Sequence, residues 1–510
     1  MTHEPPSAFT DARLGKPQAD ELKNYVTAPG LAASRRGFFD YCLVDLAHTV
    51  MLAEQGILKP GVARAILGSL VGLYIAGPDA LPWDPALGSH LLQVESYLAA
   101  EIGEDAAGRM HTGRSRNDLG TCAKRLVARG YLLQVMENVI AYQATLIEVA
   151  RRHNDTMMPG YTHLQHAQPV TLGHHLTGEF YVSERDFQRL VGAYARTNLN
   201  TLGGAALAGT GWAVDRNRTA ELLGFDGLVV NSRDASGLAI DYLAEIAATL
   251  AILMVNLGRL ASDLYIWSSW EFNLIELADD LCGSSSIMPQ KKNPYLLEKT
   301  RGLSGEAIGW VAGILGALKM ASTSDRDLGF SDGQDYILPS AVESTNSALS
   351  AMRETVRTMI VNPEVMRARA GAFWSTASNL ADEIVRQRDL PFRTAHGIVG
   401  RLVRNCVRDG VSPAEVTPAH LDQAGLEITG KPVEMPVGAI SDALDPERFL
   451  HTRETIGSVN PREVLRMVEH AEELIRREQE HVAKLRAGIE AGKARLATAV
   501  GQVLREEVNL

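Results

Sequence analysis

Cysteine is scarce in this sequence, and an excess of positive charge is missing. The 510 residues include 4 cysteines. They lie far apart without a CxxC pair, which argues against structural zinc or a disulfide scaffold and favours a reducing compartment. Lysine and arginine total 50 against 61 aspartates and glutamates, for a formal net charge of -11. This balance excludes a basic nucleic-acid-binding scaffold.

Long apolar runs and low-complexity segments are missing too. The longest apolar stretch, 247–255, reaches only half of the ~20 residues that a membrane span needs. The N-terminus lacks the apolar core of a secretory signal. Glycine and proline contribute 45 and 21 residues, which is ordinary for a globular protein. We therefore expect a folded protein located in the cytoplasm.

Strand patterns are nearly absent, whereas helical periodicity recurs. From Leu243 to Leu264 apolar residues repeat at spacings of three and four with apolar flanks, which predicts a helix at the centre of a bundle. An isolated two-stranded coiled coil is the alternative. Further long helices are predicted over 119–153, from Pro294 to about residue 320, and from Asn460 onward. We predict an all-α protein with an N-terminal helical domain, a central bundle and a C-terminal helical domain at 1–116, 117–365 and 366–510.

The first of three informative polar segments is HTGRSRND, residues 111–118. Asn117 or Asp118 is the predicted N-cap of the following helix, so donors from Ser115, Arg116 and Asn117 would gather at a helix N-terminus. Backbone N–H groups, the helix dipole and a guanidinium together attract carboxylates. The alternative is an ordinary capped turn in solvent.

The second segment, 158–169, carries His163 and His166 three residues apart in a predicted loop. Metal binding is disfavoured because no acidic or cysteine ligand shares the segment. A histidine titrating near neutral pH is suited to proton transfer. The alternative is that both imidazoles are merely hydrogen-bonded.

The third segment, 283–294, is a Gly/Ser-rich loop that leads into Lys291, Lys292 and Asn293-Pro294, a predicted cap and first turn. Serine is a poor base unless its alkoxide is stabilised, and a helix N-terminus beside a lysine could stabilise it. The alternative is a flexible loop with two solvated lysines.

Together these segments suggest one composite anion site, and the sequence resembles the argininosuccinate lyases of the fumarase/aspartase superfamily. The resemblance extends from about residue 36 to 470, and the QKKNP ending is its most specific part. The matching blocks are HTGRSRND, MPGYTHLQxAQP, LGGAALAGT at 202–210, WSSWEF at 267–272, GSSSIMPQKKNP, and the stretch from Phe373 to Val403.

This resemblance implies a three-domain, all-helical fold, a homotetramer with sites shared between subunits, and anti-elimination of an N-substituted aspartate to fumarate and an amine. We expect no metal and no cofactor. By the same resemblance Ser286 is the base, His163 with Glu298 is the acid and its partner, and Lys292 stabilises the aci-carboxylate. The residues it assigns to substrate binding are Ser115, Arg116, Asn117, Thr162, Asn293 and Gln290.

The sequence departs from this family on the amine side. Leu91 stands where the family has histidine, Gly237-Leu-Ala-Ile240 replaces its Ser-Asp-Arg-Asp, and Tyr295 stands where aspartate is usual. Ser324–Asp332 replaces its Tyr-Asn-x-Asp-Leu-Gln-Glu-Asp-Lys block. We therefore expect the same bond chemistry on a different amine, with a cationic or polyamine-like nitrogen favoured and Tyr295, Asp325, Asp327 and Asp332 as candidate contacts. A solvated acidic loop, a genuine argininosuccinate lyase and a catalytically silent, crystallin-like relative remain alternatives.

Overall fold

The computed structural model describes residues 18–319 and 333–510, and helices dominate both parts. Asp325, Asp327 and Asp332 lie outside the described residues. The α-helices are α1 Asp20–Leu22, α2 Ala28–Arg36, α3 Phe38–Glu54, α4 Pro60–Ala76, α5 His90–Ile102, α6 Glu104–Ala107, α7 Arg116–Arg152, α8 Leu172–Thr197, α9 Arg216–Leu222, α10 Tyr242–Trp267, α11 Tyr295–Leu318, α12 Leu338–Thr358, α13 Pro363–Ala370, α14 Ala377–Arg388, α15 Phe392–Asp409, α16 Pro418–Thr429, α17 Val437–Leu444, α18 Pro446–His451 and α19 Pro461–Leu504.

The described strands form two-stranded pairs only. The longest pair is an antiparallel hairpin of β1, Met157–Thr162, and β2, Gln165–Thr171. The prediction of a loop in this segment was wrong. We call residues 157–171 the His163 hairpin. The remaining pairs are β3 Leu199–Asn200 with β4 Gly227–Leu228, β5 Ile275–Glu276 with β8 Ile360–Val361, and β6 Gly283–Ser284 with β7 Lys292–Asn293.

The central bundle packs α7, α8, α10, α11 and α12 around one apolar core. The seven predicted seam residues of α10, from Leu243 to Leu264, are each at most 3% exposed. The predicted all-helical bundle is therefore confirmed, and α10 is not an isolated coiled coil. By length and composition α10 could cross a membrane, but 61% of its most apolar window is buried within the chain.

Two helix starts differ from the sequence expectation. Helix α7 is capped by Ser115, rather than by Asn117 or Asp118, and Asp118 completes a capping box with it. Helix α11 begins at Tyr295 with Pro294 as its N-cap residue, so Asn293 lies in β7 and not at the cap.

Helix α19 connects the cores of different parts of the chain. Its first half, at Val468 and Ile475, packs in the central core, and its last part, at Leu496 and Val500, packs with α3 and α4 in the N-terminal core. Helices α14–α17 have a separate core. The domain limits at 116 and 365 remain a prediction.

Helix α7 sets the distance between the polar segments. It has 37 residues, so at 1.5 Å per residue it is about 55 Å long. Ser115 lies at its start, and the His163 hairpin follows its end. Helix α10 begins beside α7, where Arg125 of α7 lies over the Tyr242 ring at 4.4 Å. It ends shortly before Phe272, and the Phe272 ring contacts Tyr161 of the hairpin at a centroid distance of 5.5 Å.

Candidate active site

The arginine turn, residues 111–117, leads directly into α7. The Ser115 hydroxyl accepts a hydrogen bond from the Asn117 N–H at 3.0 Å, and the Ser115 N–H donates to Oδ1 of Asp118 at 2.8 Å. These bonds place Ser115, Arg116 and Asn117 around the positive end of a long helix. Such a place suits the carboxylate binding expected of these residues.

Asp118 also attaches a second loop to this turn. Its Oδ2 accepts the N–H groups of Gly203 and Ala205, each at 2.9 Å, and the carboxylate is fully buried. The Thr121 hydroxyl adds a 3.1 Å bond to that of Thr201. The LGGAALAGT block is therefore fixed against the arginine turn. Sequence reasoning missed this role of Asp118, although the Ser-x-x-Asp capping-box spacing was a usable signal.

The tip of the His163 hairpin is a strained two-residue turn. His163 and Leu164 have φ of 54° and 57°. Two positive φ values in a two-residue hairpin loop are typical of a type I′ turn, which favours Asn-Gly rather than His-Leu. Thr162 and His163 are both exposed. Backbone strain of this kind persists at functional sites, and the imidazole at this tip is exposed.

The second histidine of the hairpin lies in a different environment. The His166 ring packs against Tyr161 at 5.1 Å and Phe373 at 4.7 Å, and burial lowers the pKa of its imidazole. Of the two candidates, His163 therefore lies at the exposed tip and His166 in an aromatic cluster at the side of the hairpin.

The Ser286 loop, residues 285–291, is closed at its base by β6 and β7. The Ser285 hydroxyl accepts the N–H of Met288 at 3.0 Å, and the Met288 carbonyl accepts the N–H of Lys291 at 3.1 Å. Ser286 and Gln290 are exposed. The loop is thus anchored by a strand pair, and Ser286, the candidate proton acceptor, lies on its exposed side.

Lys292 is paired with carboxylates of its own chain. Its ammonium lies 2.8 Å from Glu276 and 2.6 Å from Asp279. Burial alone would lower the pKa of Lys292, but the two carboxylates outweigh burial and raise that pKa above its usual value. The ammonium is therefore charged and already paired with two acids.

The first turn of α11 completes this region. Glu298 is exposed there, and the Asn293 side-chain amide donates to the Ser284 carbonyl at 3.5 Å. Tyr295 is 51% exposed, and its hydroxyl donates to the same carbonyl at 3.4 Å. Its ring covers Gly283, where any side chain would overlap it.

The candidate residues lie in two places within one chain. Those of the arginine turn are at the start of α7, whereas Thr162, His163 and the Ser286 loop follow the ends of α7 and α10. One chain therefore does not bring Arg116 and His163 together around a small molecule. Among the described residues no group of three or more His, Cys, Asp or Glu side chains has the arrangement of a metal site.

Comparison with known proteins places the chain in a family. Residues 83–309 match the family described as "Lyase", and residues 374–451 match "Argininosuccinate lyase C-terminal". The argininosuccinate lyase of Methanocaldococcus jannaschii is 39% identical over 474 residues, which cover 92% of this chain and 95% of that protein. The argininosuccinate lyase of Methanosarcina mazei is 41% identical over 457 residues, covering 89% of this chain and 90% of that one.

Solved structures agree with this result. EDDS lyase in complex with formate is 34% identical, with a TM-score of 0.84 over 96% of this chain and 97% of that one. A fumarate lyase from Mesorhizobium sp. BNC1 shares the fold, at 20% identity and a TM-score of 0.68 over 89% and 99% of the two chains. The chain is a carbon–nitrogen lyase and belongs to the argininosuccinate lyase family of the fumarase/aspartase superfamily.

Proposed function

We propose that this lyase eliminates fumarate from an N-substituted aspartate whose amine is not arginine, or adds that amine to fumarate, in the cytoplasm. The observation that carries the proposal is the contrast between the two sides of the site. The carboxylate-binding segments are complete, whereas Tyr295 stands at the base of the Ser286 loop in place of the usual acid. A solved neighbour of the same fold is named for EDDS rather than for argininosuccinate, and a variant of that neighbour is known with bound fumarate.

A composite site accounts for the separation of the residues. If the arginine turn of one chain meets the hairpin and the Ser286 loop of others, all three reach one dicarboxylate. The outer face of α11 suits the necessary packing, because Gly302, Gly305 and Gly309 open onto free space and Ile308 is 63% exposed. Small residues allow helices to approach closely, so we propose a homotetramer.

The proposed reaction divides between the segments. Ser286 removes the proton beside a carboxylate, and Lys292 stabilises the dianionic aci-carboxylate that results. His163, oriented by Glu298 of another chain, protonates the departing nitrogen, so that the carbon–nitrogen bond breaks and fumarate forms. The groups that hold the succinyl carboxylates are Ser115, Arg116, Asn117, Thr162, Gln290 and Asn293.

Tyr295 determines the amine side in this proposal. An exposed phenol ring stands where the family usually has a carboxylate, so recognition of a guanidinium by charge is lost at this position and an aromatic face is offered to the amine instead. Asp325, Asp327 and Asp332, outside the described residues, would supply acidic contacts for a cationic nitrogen.

The test is a screen of amines with fumarate that follows the ultraviolet absorbance of fumarate in both directions. We expect at least one amine other than arginine to consume fumarate at a higher kcat/KM than arginine does. Arginine as the best amine would establish a genuine argininosuccinate lyase, which the names of the curated relatives favour. No turnover with any amine, together with an intact fold, would support the silent relative.

A further inference from the structure

A fully buried ion pair lies directly beneath the arginine turn. The Arg114 guanidinium is 2.6 Å from the Asp45 carboxylate of α3, and both side chains are 0% exposed. One helical turn further along α3, Nε2 of His48 donates to the Thr112 carbonyl at 2.9 Å. Helix α3 therefore contacts the turn at two points immediately before Ser115.

Other polar groups surround this pair, and Asp45 is the carboxylate that lies 2.6 Å from Arg114. Burial lowers the pKa of His90 on α5 to about 3 and that of His111 to about 4, so both imidazoles are neutral. Burial raises the pKa of Glu95, also on α5, to about 7. Within the described chain no guanidinium nitrogen of Arg114 and neither carboxylate oxygen of Asp45 has a hydrogen-bond partner, so the 2.6 Å ion pair is the contact that ties the guanidinium to α3.

This tie acts on the carboxylate-binding groups through the backbone. Arg114 precedes the N-cap Ser115, whose N–H is fixed by Asp118 on the other side. The turn is thus held between Asp45 below and Asp118 in front. If Arg114 shifts, Ser115 and the residues after it shift with it, and donors aimed at a carboxylate lose their alignment.

We propose that Asp45 is a positioning residue: through its buried ion pair with Arg114 it fixes the arginine turn in the geometry that binds a substrate carboxylate. The inference rests on the proposed function of that turn. In the proposed reaction Lys292 meets the charge that develops on the aci-carboxylate, whereas the arginine turn holds the succinyl group in the ground state and the transition state alike. Loss of the positioning therefore raises KM and leaves kcat nearly unchanged.

The experiment compares fumarate binding by calorimetry, without an amine, in the full-length protein and its variants. Asp45→Asn alone leaves a buried guanidinium uncompensated, which is strongly destabilising. The double variant Asp45→Asn with Arg114→Gln removes both charges; asparagine keeps the shape of aspartate, and glutamine keeps a polar planar end on a shorter side chain. We expect the double variant to fold and to bind fumarate about 10-fold more weakly or worse, with KM raised similarly and kcat within about 3-fold.

The control is Asp186→Asn, another buried carboxylate, which accepts bonds from Arg189 and Asn256 in the bundle. It should lower stability without changing fumarate binding. Equal losses of fumarate binding in Asp186→Asn and in the double variant would show that Asp45 supports only the stability of the fold and does not position the arginine turn. Unchanged binding in the double variant, beside a loss in Arg116→Ala, would overturn this inference alone. Absence of fumarate binding by the wild type would overturn the proposed function itself.

Discussion

The aromatic ring of Tyr295 lies directly over Gly283, at the base of the Ser286 loop. A Cβ at position 283 would overlap Cδ2, Cε2 and Cζ of that ring. Gly283→Ala therefore forces Tyr295 outward and disturbs the β6–β7 pair. Tyr295 is half exposed and can move into solvent with the loss of its hydrogen bond to the Ser284 carbonyl. We therefore expect the free energy of unfolding to fall by about 1 kcal/mol, and kcat/KM to fall about 10-fold or more.

The control for Gly283→Ala is Gly400→Ala in α15, where an added Cβ meets no heavy atom within 4 Å. It should keep full activity. Adding Tyr295→Ala to Gly283→Ala removes the overlap, so part of the fumarate turnover should return. Full activity of Gly283→Ala alone would show that the packing of these two residues does not control the loop.

The long helices of this protein could be predicted from its sequence because one repeated physical pattern specifies them. In α10 the apolar spacing of three and four residues runs without a break from Leu243 to Leu264, and each of these positions is buried. Helix α19 begins at Pro461 after a capping Asn460, as the sequence indicated. Signals of this kind lie within the helix itself and can be read without knowing its tertiary contacts.

The His163 hairpin could not be predicted, because its strands lack a local signal. Pro159, Gly160 and Pro169 interrupt any alternation, and the register shifts between Pro159 and Tyr161. A Cβ at Gly160 would come within 2.5 Å of the Gln168 carbonyl, so close strand approach depends on this glycine. Such strand pairing depends on the folded structure and not on a local sequence pattern. The same holds for the buried hydrogen bond between Asp118 and the Gly203 N–H.

Replacement of Ser286 by alanine tests the proposed base. The side chain is exposed on the Ser286 loop, so its removal should leave the fold and fumarate affinity intact. We expect turnover to fall by roughly 10²–10⁴, the usual contribution of a proton-transfer group. The measurement is kcat with the best amine, beside fumarate affinity. Ser285→Ala, which loses the hydrogen bonds from the Ile287 and Met288 N–H groups, is the matched control, and a fully active Ser286→Ala would reject the assignment.

His163→Asn tests the proposed acid while preserving the hairpin. Asparagine tolerates the left-handed φ of 54° found at this position, so the turn should fold at least as well as before. Turnover should fall by roughly 10²–10⁴, and less for substrates whose amine is a better leaving group. The measurement is the slope of log kcat against amine pKa. An unchanged slope in His163→Asn would contradict the acid role.

Asp279→Asn tests whether the acidic partners of Lys292 oppose substrate binding. Lys292 holds the pKa of the Asp279 carboxyl below its usual value, so this pair is charged at neutral pH. Removal of one competing carboxylate should lower KM for fumarate about 2-fold at low ionic strength, with the gain fading as salt rises. Asp280→Asn, on the adjacent residue, is the control. A higher KM in Asp279→Asn would show that Asp279 instead holds Lys292 in place.

A buried acid in α19 predicts the pH dependence of stability. Glu478 is 4% exposed, and burial together with the nearby Glu184 raises the pKa of its carboxyl from 4.5 to about 8. Between these two values the folded chain retains a proton that the unfolded chain releases. The contribution of Glu478 is therefore unfavourable at high pH: stability falls as pH rises from 4.5 toward 8 and levels off above it.

Glu478→Gln mimics the neutral carboxyl and removes this loss. We expect the variant to match the wild type near pH 5 and to exceed it near pH 9 by a few kcal/mol, at about 1.4 kcal/mol per unit of pKa difference. Urea unfolding at both pH values measures this, with the exposed Glu480→Gln in the same helix as control. Because the amide cannot ionise, its advantage must grow with pH, and an advantage that is equal at both pH values would mean that Glu478 does not titrate in this window.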